Sequence, residues 1–302
     1  MSDLEKRDNP YNVTQASRIY FLPNLMTAGN LFCGFAAVIK CIQARLLADS
    51  GGEYALSHVG VLPTELYTHA VWLILAAVVF DSLDGRLARM GGRTSLFGAE
   101  FDSLADVVSF GMAPALMVFF LILAPRGEYQ WFRELGWFIA FVYLLCGAVR
   151  LARFNVITNP LLHRAEAESN KDFMGLPIPA AAGTVATLVL LLLNMAANAR
   201  EMRQLTLALP LILVLVSFLM VSTVRYPSFK QINWETKTRF RTFVGLTLGV
   251  VAVWRLQEVA FFFLFLAYIF YGLFAHYQRG VRQAQMRALR RKVVKQKQES
   301  YE

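Results

Sequence analysis

Long apolar runs separated by short polar and charged segments dominate the chain. Six of these runs are long enough to cross a bilayer as α-helices, which takes about 20 residues. They lie at about 22–42, 68–90, 97–123, 135–154, 174–197 and 205–224. Two closely linked runs follow, at about 242–255 and 257–276, and the first of them is a short crossing or a tilted or re-entrant piece. The pattern therefore predicts an all-α, polytopic membrane bundle of about eight transmembrane helices.

Composition agrees with a membrane location. The 302 residues are 56% hydrophobic, and the mean hydropathy of +0.44 is high for a soluble domain. No long polar linker interrupts the apolar runs, so we expect one transmembrane domain over 21–277. A cytoplasmic N-terminal segment over 1–20 and a basic cytoplasmic tail over 278–302 flank it. The N-terminal segment lacks the features of a secretory signal.

The distribution of basic residues predicts the orientation. With eight spans and a cytoplasmic N-terminus, Lys and Arg number 23 on the cytoplasmic side and 6 on the other. This positive-inside bias places both termini and the turn after the second span in the cytoplasm. We expect the membrane to be an inner membrane of bacterial type. The basic tail is an orientation signal or a segment attracted to anionic lipid. Basic charge beside a span is thereby explained, and no nucleic-acid partner is expected.

Four aspartates interrupt the apolar pattern between the second and third runs. Asp81 and Asp84 are three residues apart, and Asp102 and Asp106 are four apart, so each pair shares one face of a helix. The intervening MGGRTSLFG predicts a tight turn that would bring the two pairs face to face. An aspartate at the centre of a spanning helix costs about 2.5–3.5 kcal/mol, so such groups usually mark a functional site. Carboxylates in this number suit Mg²⁺, Mn²⁺ or Ca²⁺ rather than zinc.

Small and polar residues accompany the aspartates. Gly85, Ala88 and Gly98 would let helices or a ligand approach closely, and Arg89 can offer a planar fork to phosphate. In the first span, residues 24, 27 and 30 form a polar stripe of Asn, Thr and Asn. The stripe serves either hydrogen bonding between helices or the polar site. The three cysteines and four histidines show no metal-ligand spacing.

The aspartate region carries a family resemblance. The pattern Asp81-x2-Asp84-Gly85-x2-Ala88-Arg89-x8-Gly98-x3-Asp102-x3-Asp106 resembles the signature of the CDP-alcohol phosphotransferases. These integral membrane enzymes move a phosphatidyl or related group from a CDP-linked lipid to an alcohol. The resemblance implies a homodimer and a six-helix core followed by C-terminal helices.

The same resemblance implies roles for individual residues. Asp81, Asp84 and Asp102 would be metal ligands. Asp106 would touch a metal and accept the proton of the attacking hydroxyl. The CDP part of the lipid would be bound by residues that match family positions. These are Gly85, Ala88, Arg89, Ser95 and Gly98.

Three further segments resemble the serine-using branch of this family, the phosphatidylserine synthases. They are PNLMT followed by GNLFCG in the first span, RLARFN at the end of the fourth, and GLPIPAAA at the start of the fifth. The resemblance implies transfer from CDP-diacylglycerol to L-serine, giving phosphatidylserine and CMP, with Asn24 and Thr27 near the diphosphate. Arg150 and Arg153 lie three residues apart at the cytoplasmic end of the fourth span. One of them would clamp the serine carboxylate, or both serve as positive-inside anchors.

Other functions remain as alternatives at this point. A related enzyme would use glycerol 3-phosphate, inositol phosphate or choline as acceptor. A cation transporter with an acidic site is a second alternative, but transporters commonly show inverted repeats, and this chain has a single acidic hairpin. A structural membrane scaffold would leave the cost of four acids within the membrane unexplained.

Overall fold

The computed structural model describes residues 21–49, 62–90, 96–123, 130–158, 173–197, 208–226 and 257–299, and nearly all of them are helical. The helices are α1 (Phe21–Asp49), α2 (Pro63–Met90), α3 (96–123), α4 (Gln130–Thr158), α5 (Ile178–Ala197), α6 (Ala208–Val221) and α7 (Gln257–Glu299). Two short strands, β1 (Phe173–Met174) and β2 (Arg225–Tyr226), pair antiparallel.

Within the described ranges, six helices are long and apolar enough to cross a membrane, namely all except the shorter α6. The predicted polytopic helical class is therefore confirmed, and the chain is an integral membrane protein. Large apolar side chains such as Phe32 and Phe218 are more than 60% exposed on the outer surface, where lipid would cover them. The predicted run at 242–255 lies outside the described residues, so the count of eight spans stays a prediction.

Glycines set the closest helix crossings. A Cβ at Gly34 of α1 would overlap Ser109 of α3, and one at Gly183 of α5 would overlap the ring of Phe265 of α7. Small residues of this kind let helices pack closely in a membrane, where no hydrophobic force drives them together. The crossings bring α1, α3, α5 and α7 around one interior.

Helix α3 changes its hydrogen-bonding pattern immediately after Asp106. It is α-helical over Leu96–Asp106, π-helical over Val107–Met112, α-helical over Ala113–Val118 and π-helical over Phe119–Leu123. Pro114 has no N–H to donate to the carbonyl four residues earlier, that of Phe110. The hydroxyl of Tyr143 on α4 donates to this carbonyl instead, at 3.1 Å. The π segment thus ties α3 to α4 one turn beyond the acidic residues.

Helix α5 begins at Ile178, four residues later than the sequence predicted. Gly175 has a φ of 79°, which interrupts helical geometry before the helix starts. The N–H of Gly175 donates to the carbonyl of Val224, and the N–H of Leu176 donates to that of Leu219. The segment before α5 is therefore anchored to the end of α6 and to β2.

Helix α7 contains an apolar span, Ala260–Val281, and continues without a break to Glu299. The predicted boundary between the transmembrane domain and the basic tail, at 277/278, falls inside this helix. The N-terminal segment 1–20 lies outside the described residues. The division into three parts stays a prediction.

Candidate active site

The acidic residues of α2 and α3 converge. Carboxylate oxygens of Asp81, Asp102 and Asp106 all lie within 4.8 Å of one another. Asp84 is only 5% exposed and lines the same cavity as the other three aspartates. The two helices meet at this point, and the residues between them, 91–95, lie outside the described residues. The two pairs identified from their spacing thus form one cluster.

The first helix supports the cluster through its polar stripe. Thr27 Oγ1 donates to Asp84 Oδ2 at 3.0 Å, and Asn30 Nδ2 donates to Asp106 Oδ1 at 3.0 Å. Both donors are buried, and Ser109 Oγ holds the backbone of Asn30 by donating to its carbonyl at 2.9 Å. The buried amide nitrogen of Asn24 has no hydrogen-bond partner. The stripe therefore faces the acidic cluster.

The sequence-based site did not include Asn30, although it belongs to the same stripe. Its spacing of three residues from Thr27 was the available signal, but spacing cannot identify which carboxylate an amide will reach. The structure pairs it with the proposed base, Asp106. The roles predicted for Asn24 and Thr27 at the lipid diphosphate stay predictions.

A cavity of about 930 Å³ opens beside the aspartates. Its wall is formed by residues of α2, α3, α4 and α7 and by the start of α5 with the residue before it. Polar side chains that sequence reasoning missed include Ser103 and Asn155, whose side chains hydrogen-bond each other at 2.9 Å. Asn155 lies in the RLARFN segment, which was the available signal. This hydrogen bond joins α3, next to Asp102, to α4 near its predicted cytoplasmic end.

The residues predicted to bind the CDP part are placed as follows. Gly85 lines the cavity. Gly98 lies in the first turn of α3, and Ala88 and Arg89 lie in the last turn of α2. Ser95 lies outside the described residues. These assignments stay predictions.

The two arginines of α4 differ in their surroundings. Arg150 is 6% exposed and lines the cavity, and its guanidinium lies 5.8 Å from the ring centre of Phe154. Its buried Nε has no hydrogen-bond partner. Arg153 instead donates to the backbone carbonyls of Met174, at 3.0 Å, and Val221, at 3.1 Å. Arg150 is therefore placed to meet a ligand, whereas Arg153 fixes the segments around β1 and β2.

The carboxylate cluster fits a divalent cation. Its donors are oxygens, the kind that hard divalent cations prefer, and they lie close enough together to share one ion. One carboxylate oxygen of Asp102 is buried with no hydrogen-bond partner, which is the state expected of a ligand atom. Asp81, Asp102 and Asp106 are the residues that could share such an ion, and the role predicted for Asp84 as a further ligand stays a prediction.

Comparison with known proteins agrees with the arrangement. The sequence matches the model of the CDP-alcohol phosphatidyltransferase family over residues 20–221. It is 36% identical over 255 residues to CDP-diacylglycerol–serine O-phosphatidyltransferase of Helicobacter pylori, covering 84% of this chain and 90% of that protein. It is 33% identical over 208 residues to archaetidylserine synthase of Methanothermobacter thermautotrophicus, covering 68% and 69%. The Saccharomyces cerevisiae CDP-diacylglycerol–serine O-phosphatidyltransferase is 33% identical over 178 residues, covering 59% and 56%.

Proposed function

The chain belongs to the CDP-alcohol phosphatidyltransferase family, and from this premise we propose that it makes phosphatidylserine. It would transfer the phosphatidyl group of CDP-diacylglycerol to the hydroxyl of L-serine and release CMP. The observation that carries the proposal is one cavity bordered by both the acidic cluster and the buried Arg150. The names of the similar proteins support serine as the acceptor.

The acidic end of the cavity suits the diphosphate of the lipid once a cation is bound. Asp81, Asp102 and Asp106 would hold Mg²⁺ or Mn²⁺, with Asp84 as the fourth predicted ligand, and Ca²⁺ shares their preference for oxygen ligands. The chemistry that such an ion would supply is neutralisation of the diphosphate and stabilisation of charge on the leaving CMP. Thr27 fixes Asp84 beside these ligands, and Gly85 leaves room for the nucleotide.

Asp106 is the group we assign as the base. The serine oxygen forms a bond to the phosphorus of the phosphatidyl group, the bond from that phosphorus to CMP breaks, and the hydroxyl proton passes to the Asp106 carboxylate. Asn30 orients this carboxylate by donating to Oδ1, which leaves Oδ2 to face the acceptor. A carboxylate is a weak base toward an alcohol, so its position contributes more than its basicity in a loose transition state.

Arg150 is the residue we assign to the serine carboxylate. It lines the cavity, and it is buried, so a charge-assisted bond to a carboxylate would be little screened by solvent. The acidic end of the cavity is assigned to the cation and the diphosphate, and the guanidinium of Arg150 in the same wall is left for the serine carboxylate. The amino acid would therefore lie with its hydroxyl toward Asp106 and its carboxylate toward Arg150.

The remaining proposals concern location and assembly. The excess of basic residues supports an inner membrane of bacterial type, with both termini and the cavity mouth in the cytoplasm. A cytoplasmic mouth would give access to soluble serine and release CMP where it is formed. Family membership supports a homodimer.

The test uses purified protein in detergent with CDP-diacylglycerol, Mg²⁺ or Mn²⁺, and a panel of alcohols, following CMP release. We expect serine-dependent release that is abolished by chelation and restored by adding the metal back. Asp106→Asn is expected to lower kcat by about 10²- to 10⁴-fold, the usual contribution of a general base. Glu100→Gln is the matched control, because this exposed carboxylate lies on the same helix and outside the cavity wall.

Two outcomes would contradict the proposal. Release with another alcohol but not with serine would retain the family and change the acceptor. If CMP release continues after chelation and in Asp106→Asn, the acidic cluster does not take part in the reaction. A Glu100→Gln variant as inactive as Asp106→Asn would show that the loss comes from the helix rather than from the site.

A further inference from the structure

The last described helix forms one wall of the cavity. Helix α7 lies beyond residues 20–221, which match the family model, yet it contributes Leu264, Phe265, Ala267, Tyr268 and Tyr271 to the wall. The ring of Phe265 packs over Gly183 of α5, where a side chain would exclude it. The region matched to the family therefore leaves this wall open, and α7 completes it.

Tyr268 is a polar residue of this wall whose side chain faces the same cavity as Arg150. The two side chains interact electrostatically, and both line the cavity. Most of the cavity surface around them is apolar, with Leu151 and Phe154 nearby on α4. A guanidinium and a phenol therefore offer hydrogen-bond donors in the wall of the same cavity.

Neighbouring residues fix the position of Tyr268. The ring of Tyr226, which is fully buried, lies against it with ring centres 5.7 Å apart. Tyr226 also packs on Gly272, one turn after Tyr268, where a Cβ would overlap its ring. Tyr226 is held in turn by the pairing of β2 with β1, and Arg153 binds the carbonyl of Met174 in β1. A chain of contacts thus runs from α4 through both strands to α7.

We propose that Tyr268 is a specificity-determining residue of the acceptor subsite, where its hydroxyl and the guanidinium of Arg150 together bind the anionic group of the acceptor alcohol. Under the proposed function, on which this assignment rests, that group is the carboxylate of serine. Two donors that face one cavity can bind the two oxygens of a carboxylate. The acidic cluster lines the same cavity and is assigned to the cation and the diphosphate, so the anionic group of the acceptor is directed to the donors.

The test compares Tyr268→Phe with Tyr277→Phe. Tyr277 lies on the same helix, is 70% exposed and is absent from the cavity wall, so it controls for loss of a phenol hydroxyl. We expect Tyr268→Phe to raise the KM for serine by about 10- to 100-fold, the effect of losing one hydrogen bond to a charged group. The KM for CDP-diacylglycerol and the kcat at saturating serine should stay within about twofold of wild type.

A second measurement separates binding of the carboxylate from a structural effect. Serinol, in which a hydroxymethyl group replaces the carboxylate of serine, is used as a competing acceptor. Tyr268→Phe should lower kcat/KM for serine and leave the value for serinol unchanged. Parallel losses with both acceptors, equal rises in both KM values, or an unchanged serine KM would each overturn the assignment.

The failure of this inference is distinguishable from failure of the proposed function. If wild type releases CMP with a different alcohol and not with serine, the proposed function is wrong. The same KM comparison is then made with the alcohol that is used. If the KM for that alcohol is raised in Tyr268→Phe, Tyr268 still belongs to the acceptor subsite. If that KM is unchanged, Tyr268 does not belong to it. Thermal unfolding of both variants in detergent checks that they are folded.

Discussion

The crossing of α1 and α3 beside the aspartates gives the most direct test of how the fold positions the site. A Cβ added at Gly34 would lie 2.5 Å from the Cα of Ser109, whereas an ordinary contact is 3.4–4 Å. Because the obstacle is backbone, Gly34→Ala would force the helices apart by about 1 Å, a displacement large enough to impair catalysis. Gly34 lies one turn after Asn30, and Ser109 lies about one turn after Asp106. The separation therefore acts on the 3.0 Å bond between Asn30 and Asp106.

The expected effect has two parts. A displacement of about 1 Å at a catalytic group costs about 10²-fold in rate, so kcat should fall by about that factor. Overpacking of a well-packed crossing costs about 1–3 kcal/mol, so the temperature of unfolding should also fall. The KM for serine should change less than kcat, because Arg150 lies on α4 and is not directly displaced.

The assay is CMP release with both substrates varied, together with thermal unfolding in detergent. Gly280→Ala is the matched control, because nothing lies within 4 Å of a Cβ at that position. In both variants the change from glycine to alanine favours the helix by up to about 1 kcal/mol. The difference in kcat and unfolding temperature between the two variants therefore reports the overlap with Ser109 alone. A Gly34→Ala variant with the kcat and the unfolding temperature of Gly280→Ala would refute the reasoning.

Two further predictions concern α4 and the segment before α5. Arg153→Ala should lower the unfolding temperature and raise the KM for both substrates together, because the substitution removes hydrogen bonds to backbone carbonyls. Arg150→Ala should raise the KM for serine selectively, because Arg150 lines the cavity. A selective rise in Arg153→Ala would instead identify Arg153 as the clamp. Gly175→Ala should lower the free energy of unfolding by about 1–3 kcal/mol, since a non-glycine residue is strained at its φ of 79° and its Cβ would overlap the carbonyl of Met220. Unchanged unfolding in Gly175→Ala would contradict this account.

Much of the acidic site could be predicted because its pattern is local. Within each helix, spacings of three and four residues place Asp81 with Asp84 and Asp102 with Asp106 on one face whatever the helix packs against. A short polar segment between the two helices makes them antiparallel neighbours. The cluster observed at Asp81, Asp102 and Asp106 follows from those two facts.

The arginines of α4 show where local reasoning ends. Arg150 and Arg153 are three residues apart on one helix, and charge and spacing give them the same interpretation. Their difference comes from what lies opposite each side chain. Arg153 donates to backbone carbonyls near β1 and β2, whereas Arg150 faces the cavity. These neighbours come from segments 20 or more residues away, so the sequence near α4 does not contain them.

The sequence by itself determined the helical membrane class, the acidic cluster and the family, because apolar run length and helical periodicity are properties of a segment alone. Only the tertiary structure paired Asn30 with Asp106, separated the two arginines and brought Tyr268 of α7 to the cavity. Those relationships depend on distances between helices and on their rotation about their own axes. Both are set by close crossings such as Gly34 with Ser109 and Gly183 with Phe265, where one absent side chain decides which faces meet.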